Sequence, residues 1–116
     1  MEDTKKMETK ETDGIYIHEL KKPFKYEGKE YKSMSFDWNK LTGEDGLSIE
    51  EEMERLGSAV LIPAYNSGYL SRMAARASLE GVPLNALLAL PLKDYNAIRV
   101  AARSFLLRTE SQEENG

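Results

Sequence analysis

The chain has 116 residues, of which 41% are hydrophobic and 31% charged, with one histidine, no cysteine and a net charge of −4. This length suffices for one modest core. The missing cysteine excludes disulfides, thiolate nucleophiles and thiolate metal sites, and the lack of any apolar run near 18 residues excludes a transmembrane helix.

Residues 1–13 are polar, charged and without apolar periodicity, so they are expected to be a disordered N-terminal segment. They also lack the apolar region of a secretory signal, which fits a cytoplasmic protein. Residues 15–20 (IYIHEL) are rich in β-branched and aromatic side chains and predict a strand. Pro23 belongs at a strand start or on an edge, because it has no N–H for the ladder. Around Glu27, Gly28 and Lys29, the runs Phe24-Lys25-Tyr26 and 31–36 (YKSMSF) alternate large and polar residues, the pattern of a hairpin. A two-residue turn at Glu27-Gly28 would pair Phe24 with Tyr31, whereas a four-residue loop would pair Tyr26 with Tyr31. The sequence leaves both open. An isolated hairpin is marginal in water, so residues 15–20 are the expected third strand and the following helices its cover.

Leu41-Thr42-Gly43-Glu44-Asp45-Gly46 reads as a turn, and Ser48-Ile49-Glu50-Glu51 as a capping box opening a helix over about 49–56. Gly57 is placed to end that helix. The apolar run 59–62, closed by Pro63, fits a helix end or an extended linker. A helix starting near Asn66 or Ser67 and running to about Leu79 carries Tyr69, Leu70, Met73, Ala74 and Ala77 at amphipathic spacing. Pro83 opens a short helix over about 85–90. After Pro91 a last helix, about 92–107, aligns Tyr95, Ile98, Ala102, Phe105 and Leu106, with Arg99 and Arg103 one turn apart on another face. Residues 109–116 form an expected disordered acidic tail. The folded unit is therefore 14–108, an α+β domain with a small antiparallel sheet of two to three strands packed on three to four helices.

Catalytic equipment is hard to assemble from these residues. His18 sits in a predicted strand, where cross-strand packing is its expected role, since general acid–base work needs a positioned partner. The run Glu50, Glu51, Glu52 and Glu54 suits a helix N-terminus, no metal-ligand spacing is present, and no cofactor is called for. Trp38 is expected to close the core where strand meets helix. Charge is uneven: residues 1–57 carry a net −5, residues 58–108 a net +4, and residues 109–116 a net −3. Such asymmetry marks a partner surface, or is matched internally if the acidic 50–54 stretch faces the arginines. The pairs Arg72/Arg76 and Arg99/Arg103 could neutralise phosphates, but the acidic balance and the lack of a recognised motif weigh against nucleic acid.

The order KPFKYEGKEYKSMSFDW, then LTGED, then GVPLNALLALPLKDYNAIRVAARSFLL resembles the small tail assembly chaperones of long-tailed phages and prophages. The matching pieces are Lys22-Pro23, the turn Tyr26-Glu27-Gly28-Lys29, Leu41-Thr42-Gly43, and a closing pattern from Gly81-Val82-Pro83 through Leu87, Leu90 and Asp94 to Phe105-Leu106. Together they span about residues 15–107. The resemblance implies a non-enzymatic α+β protein of the bacterial host cytoplasm, absent from the mature virion. Its implied client is the phage tape-measure protein, kept soluble until the tail tube polymerises around it. It also implies possible contacts with the tail-tube protein and with a frameshifted longer form of itself.

For client binding the expected site is a groove between the helices near 67–79 and 92–107. Tyr69, Met73 and Phe105 would line it, with Arg72, Arg76, Arg99 and Arg103 at its rim. The alternative for the apolar residues is plain core. Two other functions stand beside the chaperone: a tail or neck component retained in the particle, and a small nucleic-acid-binding regulator using the arginine-bearing helices. Self-association through the hairpin edges is a further possibility, opposed by Lys25, Lys29 and Lys32.

Overall fold

The computed structural model describes residues 14–115, with side chains through Arg108. The expected disorder of residues 1–13 lies outside the described residues. The order is strand β1 (Ile15–Tyr26), strand β2 (Lys29–Asp37), a 3-10 turn (Trp38–Lys40), and helix α1 (Gly43–Arg55). A second 3-10 turn (Pro63–Tyr65) follows, then helices α2 (Ser67–Ala77), α3 (Leu84–Leu88) and α4 (Leu92–Asn115). The fold is α+β, with a two-stranded antiparallel sheet on four helices.

No separate third strand forms among the described residues, because residues 15–20 and the first hairpin arm are one long strand. β1 pairs with β2 from Ile15 opposite Asp37 to Glu19 opposite Ser33. It then slips and resumes with Phe24 opposite Tyr31 and Tyr26 opposite Lys29. Residues 20–23, including Pro23, form the bulge between these two registers. The two-residue turn is the one adopted, with positive φ at both Glu27 (49°) and Gly28 (79°). This is the twist-compatible geometry for a tight hairpin. One sheet face presents Met34 and Phe36 to the core, and Trp38 at the head of the following turn joins them, all at most 3% exposed.

α1 begins earlier than the sequence suggests. Its N-cap is Thr42, whose N–H donates to the Asp45 carboxylate at 2.8 Å. The capping box is therefore Thr42 to Asp45, and Ser48 lies inside the helix, where its hydroxyl oxygen accepts from Arg76 at 2.9 Å. The helix stops at Gly57 (φ 78°): Ser58 N–H donates to Met53 O and Gly57 N–H to Glu54 O, both at 2.9 Å. This paired closure is the Schellman arrangement. The 59–62 run is irregular chain leading into the Pro63–Tyr65 turn.

α2 is capped by the Asn66 side chain, which accepts from Tyr69 N–H. It ends at Ala77, two residues short of expectation, because Ser78 and Leu79 peel off to the sheet. Ser78 forms a bridge with Phe36, Leu79 N–H donates to Ser35 O at 2.9 Å, and the Glu80 carboxylate accepts from Ser35 N–H at 2.8 Å. These bonds cover part of the outer edge of β2. α4 carries helical backbone to Asn115, through the segment expected to be a disordered tail. The stretch 107–114 contains neither Pro nor Gly and several strong helix formers, so nothing local stops the helix. The core joins both layers: Phe36 of β2 and Trp38 of the turn after it meet Ile49 and Met53 of α1, Leu70 and Ala74 of α2, Leu87 of α3, and Ile98 and Ala102 of α4.

Candidate functional site

The residues expected to grip a client are not lined up along one groove. α2 and α4 pack directly on one another through small side chains. The crevice between them, bordered by Ser71, Ala74, Ile98 and Arg99, holds no water-sized space. Tyr69 and Met73 are core residues, 9% and 3% exposed. They do approach Phe105, at a shallow depression of about 150 Å³ shared with α1 and bordered by Ile49, Asp45 and Leu106. Phe105 also stacks on Trp38, with ring centroids 6.3 Å apart. Burial, aided by the Glu50 carboxylate, raises the Tyr69 hydroxyl above its ordinary pKa.

Each of the four arginines has an intramolecular partner. Arg72 Nε donates to Glu52 Oε2 and Arg76 Nη1 to Asp45 Oδ1, both at 2.9 Å. Arg99 reaches Asn96 Oδ1 at 3.3 Å. Arg103 Nε donates to Ala64 O at 3.0 Å, and its guanidinium sits 5.3 Å from the centre of the Tyr65 ring. Part of the basic half is thus matched by α1. Arg103 instead braces the Pro63–Tyr65 turn.

That turn belongs to the most exposed apolar stretch among the described residues. Between the end of α1 and the start of α2, Leu56, Leu61, Ile62 and Tyr65 are 65%, 89%, 59% and 64% exposed. Single exposed apolar residues are ordinary, whereas this one connection exposes four large ones. The sequence signal was the 59–62 run closed by Pro63. Its exposure was not legible, because an apolar run reads equally well as core.

A second feature sits at the bulge of β1. His18 Nε2 lies 2.7 Å from Asp94 Oδ1 in the first turn of α4, and His18 Nδ1 lies 3.0 Å from the Tyr16 hydroxyl. In the neutral ring, Nε2–H donates to the carboxylate and Nδ1 accepts from the hydroxyl. Burial, with Asp94 adding to it, raises the Tyr16 hydroxyl above its ordinary pKa. His18 therefore ties β1 to α4 and is not simply a cross-strand packing residue. Beside it the bulge opens a cleft of about 590 Å³ against Pro91 and Lys93. No sequence motif links His18 to Asp94, 76 residues apart. Pro23 within a β pattern was the one local sign of a break.

Among the described residues no helix is long and apolar enough to cross a membrane, and no three His, Cys, Asp or Glu side chains gather as metal ligands. Comparison of the chain with protein-family models, with curated proteins and with solved structures returns no match.

Proposed function

We propose that this chain is a tail assembly chaperone of a phage or prophage, acting in the cytoplasm of the bacterial host by holding the tape-measure protein soluble and then leaving the assembled particle. The observation that carries this reading is the exposed apolar connection from Leu56 to Tyr65, braced by Arg103 on α4. A tape-measure helix awaiting its tube exposes apolar stripes. A chaperone needs a matching apolar surface that its own fold leaves uncovered. The working surface moves accordingly from the buried Tyr69 and Met73 to Leu61, Ile62 and Tyr65, with Arg103 as the one expected rim residue beside them.

The experiment is co-expression with the tape-measure protein. Leu61→Ser with Ile62→Ser removes the most exposed apolar groups and is expected to abolish co-purification and client solubility. Thermal stability should stay unchanged, since neither side chain is in the core. Undiminished co-purification by a folded variant would overturn the assignment of this surface. Finding the chain in purified particles would overturn the chaperone role in favour of a structural part.

A further inference from the structure

We propose that the cleft at the β1 bulge is a docking site for an extended acidic–apolar peptide segment of another protein, separate from the 56–65 surface. The cleft has a structural origin. Between Glu19 and Phe24 the pairing with β2 slips, so residues 20–23 have no Cα partner on β2, and they line a cleft together with Pro91, Lys93 and Asp94 at the start of α4. Leu20, Pro23, Phe24 and Pro91 supply its apolar walls around a space of about 590 Å³. That is room for a few side chains of a bound segment. Bulges are over-represented at sheet edges and beside functional sites, where they re-aim side chains or end the pairing.

Charge decides the class of occupant. Lys21, Lys22 and Lys93 border the cleft, are exposed, and make no ion pair among the described residues. The carboxylate of Asp94 is held by His18. The lining therefore holds two carboxylates, the exposed Glu19 and the hydrogen-bonded Asp94, against three lysines, a balance of one positive charge. On a chain of net charge −4, this is a local positive rim around apolar walls, and it suits carboxylate side chains alternating with apolar ones. An extended segment fits better than a helix. Its alternation would place one set of side chains in the cleft and the other along the lysines, and its backbone could pair with bulge residues that lack ladder partners.

The test uses the full chain and a short fluorescein-labelled peptide alternating leucine with glutamate, compared with the same peptide carrying lysine for glutamate. The expected result is saturable anisotropy for the glutamate peptide alone, with amide shifts at residues 18–24 and 91–94. The combined Lys21→Glu and Lys93→Glu variant should weaken binding about tenfold or more and flatten its salt dependence. Both lysines are exposed, so the variant should melt as the parent does. Equal binding of the two peptides, or shifts mapping elsewhere, would overturn the proposal. So would concentration-dependent shifts at the cleft without peptide, since the occupant would then be a second copy of this chain. The outcome is independent of the client experiment, which reads Leu61 and Ile62 on a different connection.

Discussion

At the scale of single residues, the informative side chains are those whose partners lie far away in sequence. Asp94 holds His18 at 2.7 Å, and both are largely shielded, with side chains 17% and 11% exposed. Removing one partner leaves the other's polar atom desolvated, whereas removing both orphans neither member of the pair and costs only the acceptor of the half-buried Tyr16 hydroxyl. Asp94→Ala is therefore expected to lower stability by about 1–3 kcal/mol. The combined change with His18→Leu should cost less than the sum of the two single changes, a coupling that a double-mutant cycle from urea midpoints reads directly. Strict additivity would mean that the tie contributes nothing. The arginines teach the same lesson from the opposite side. The internal match that the acidic 50–54 stretch suggested for the arginines is realised in part: α1 supplies Glu52 to Arg72, and Asp45, outside that stretch, to Arg76.

At the scale of elements, the start of α1 shows how a local pattern is overruled. Both Thr42-x-x-Asp45 and Ser48-x-x-Glu51 satisfy a capping box, and Gly43 and Gly46 argue against an early start because glycine is a poor helix former. Asp45 tips the choice by serving two partners, accepting from Thr42 N–H and from Arg76 of α2. The Thr42 N–H bond foremost, then Arg76, holds the Asp45 carboxyl below its ordinary pKa. A carboxyl depressed in the folded state stabilises above the unfolded pKa, near about 4, and that contribution is lost as pH falls through the folded value. Asp45→Ala is thus expected to lower stability at neutral pH by about 1 kcal/mol or less, given the exposure of the site. It should also show a shallower loss than the parent on acidification below about pH 4, measured by denaturant unfolding across that range. The place of the hairpin turn, though not its register, the glycine stop after α1 and the amphipathic stripe of α2 were legible, because each depends on residues a few positions apart. The bulge of β1, the bridge from Ser78 to β2 and the run of α4 to Asn115 were not. The first two depend on distant partners, and the third on the mere lack of a stop signal.

At the scale of the whole molecule, the question is whether sheet and helices are separable. A two-stranded sheet is marginal alone, and here its core face has no partner except the helices. Trp38 marks the junction: it is 3% exposed and stacked between Phe36 of β2, 5.6 Å away, and Phe105 of α4. Its fluorescence therefore reports the sheet–helix seam, while far-UV circular dichroism reports mainly the helices. With one core shared by every layer, the two signals should trace the same unfolding curve in urea, with a single midpoint. Leu70→Ala makes the expectation sharper. Leu70 is fully buried in α2, and its truncation should cost about 2–5 kcal/mol through lost burial and a residual cavity. Because Leu70 belongs to the same core as Trp38, both curves should shift together by the same amount. A tryptophan transition that stays in place while the helical signal moves would show that the hairpin folds as a unit of its own. The 56–65 surface would then sit on a helical body whose stability the sheet does not govern.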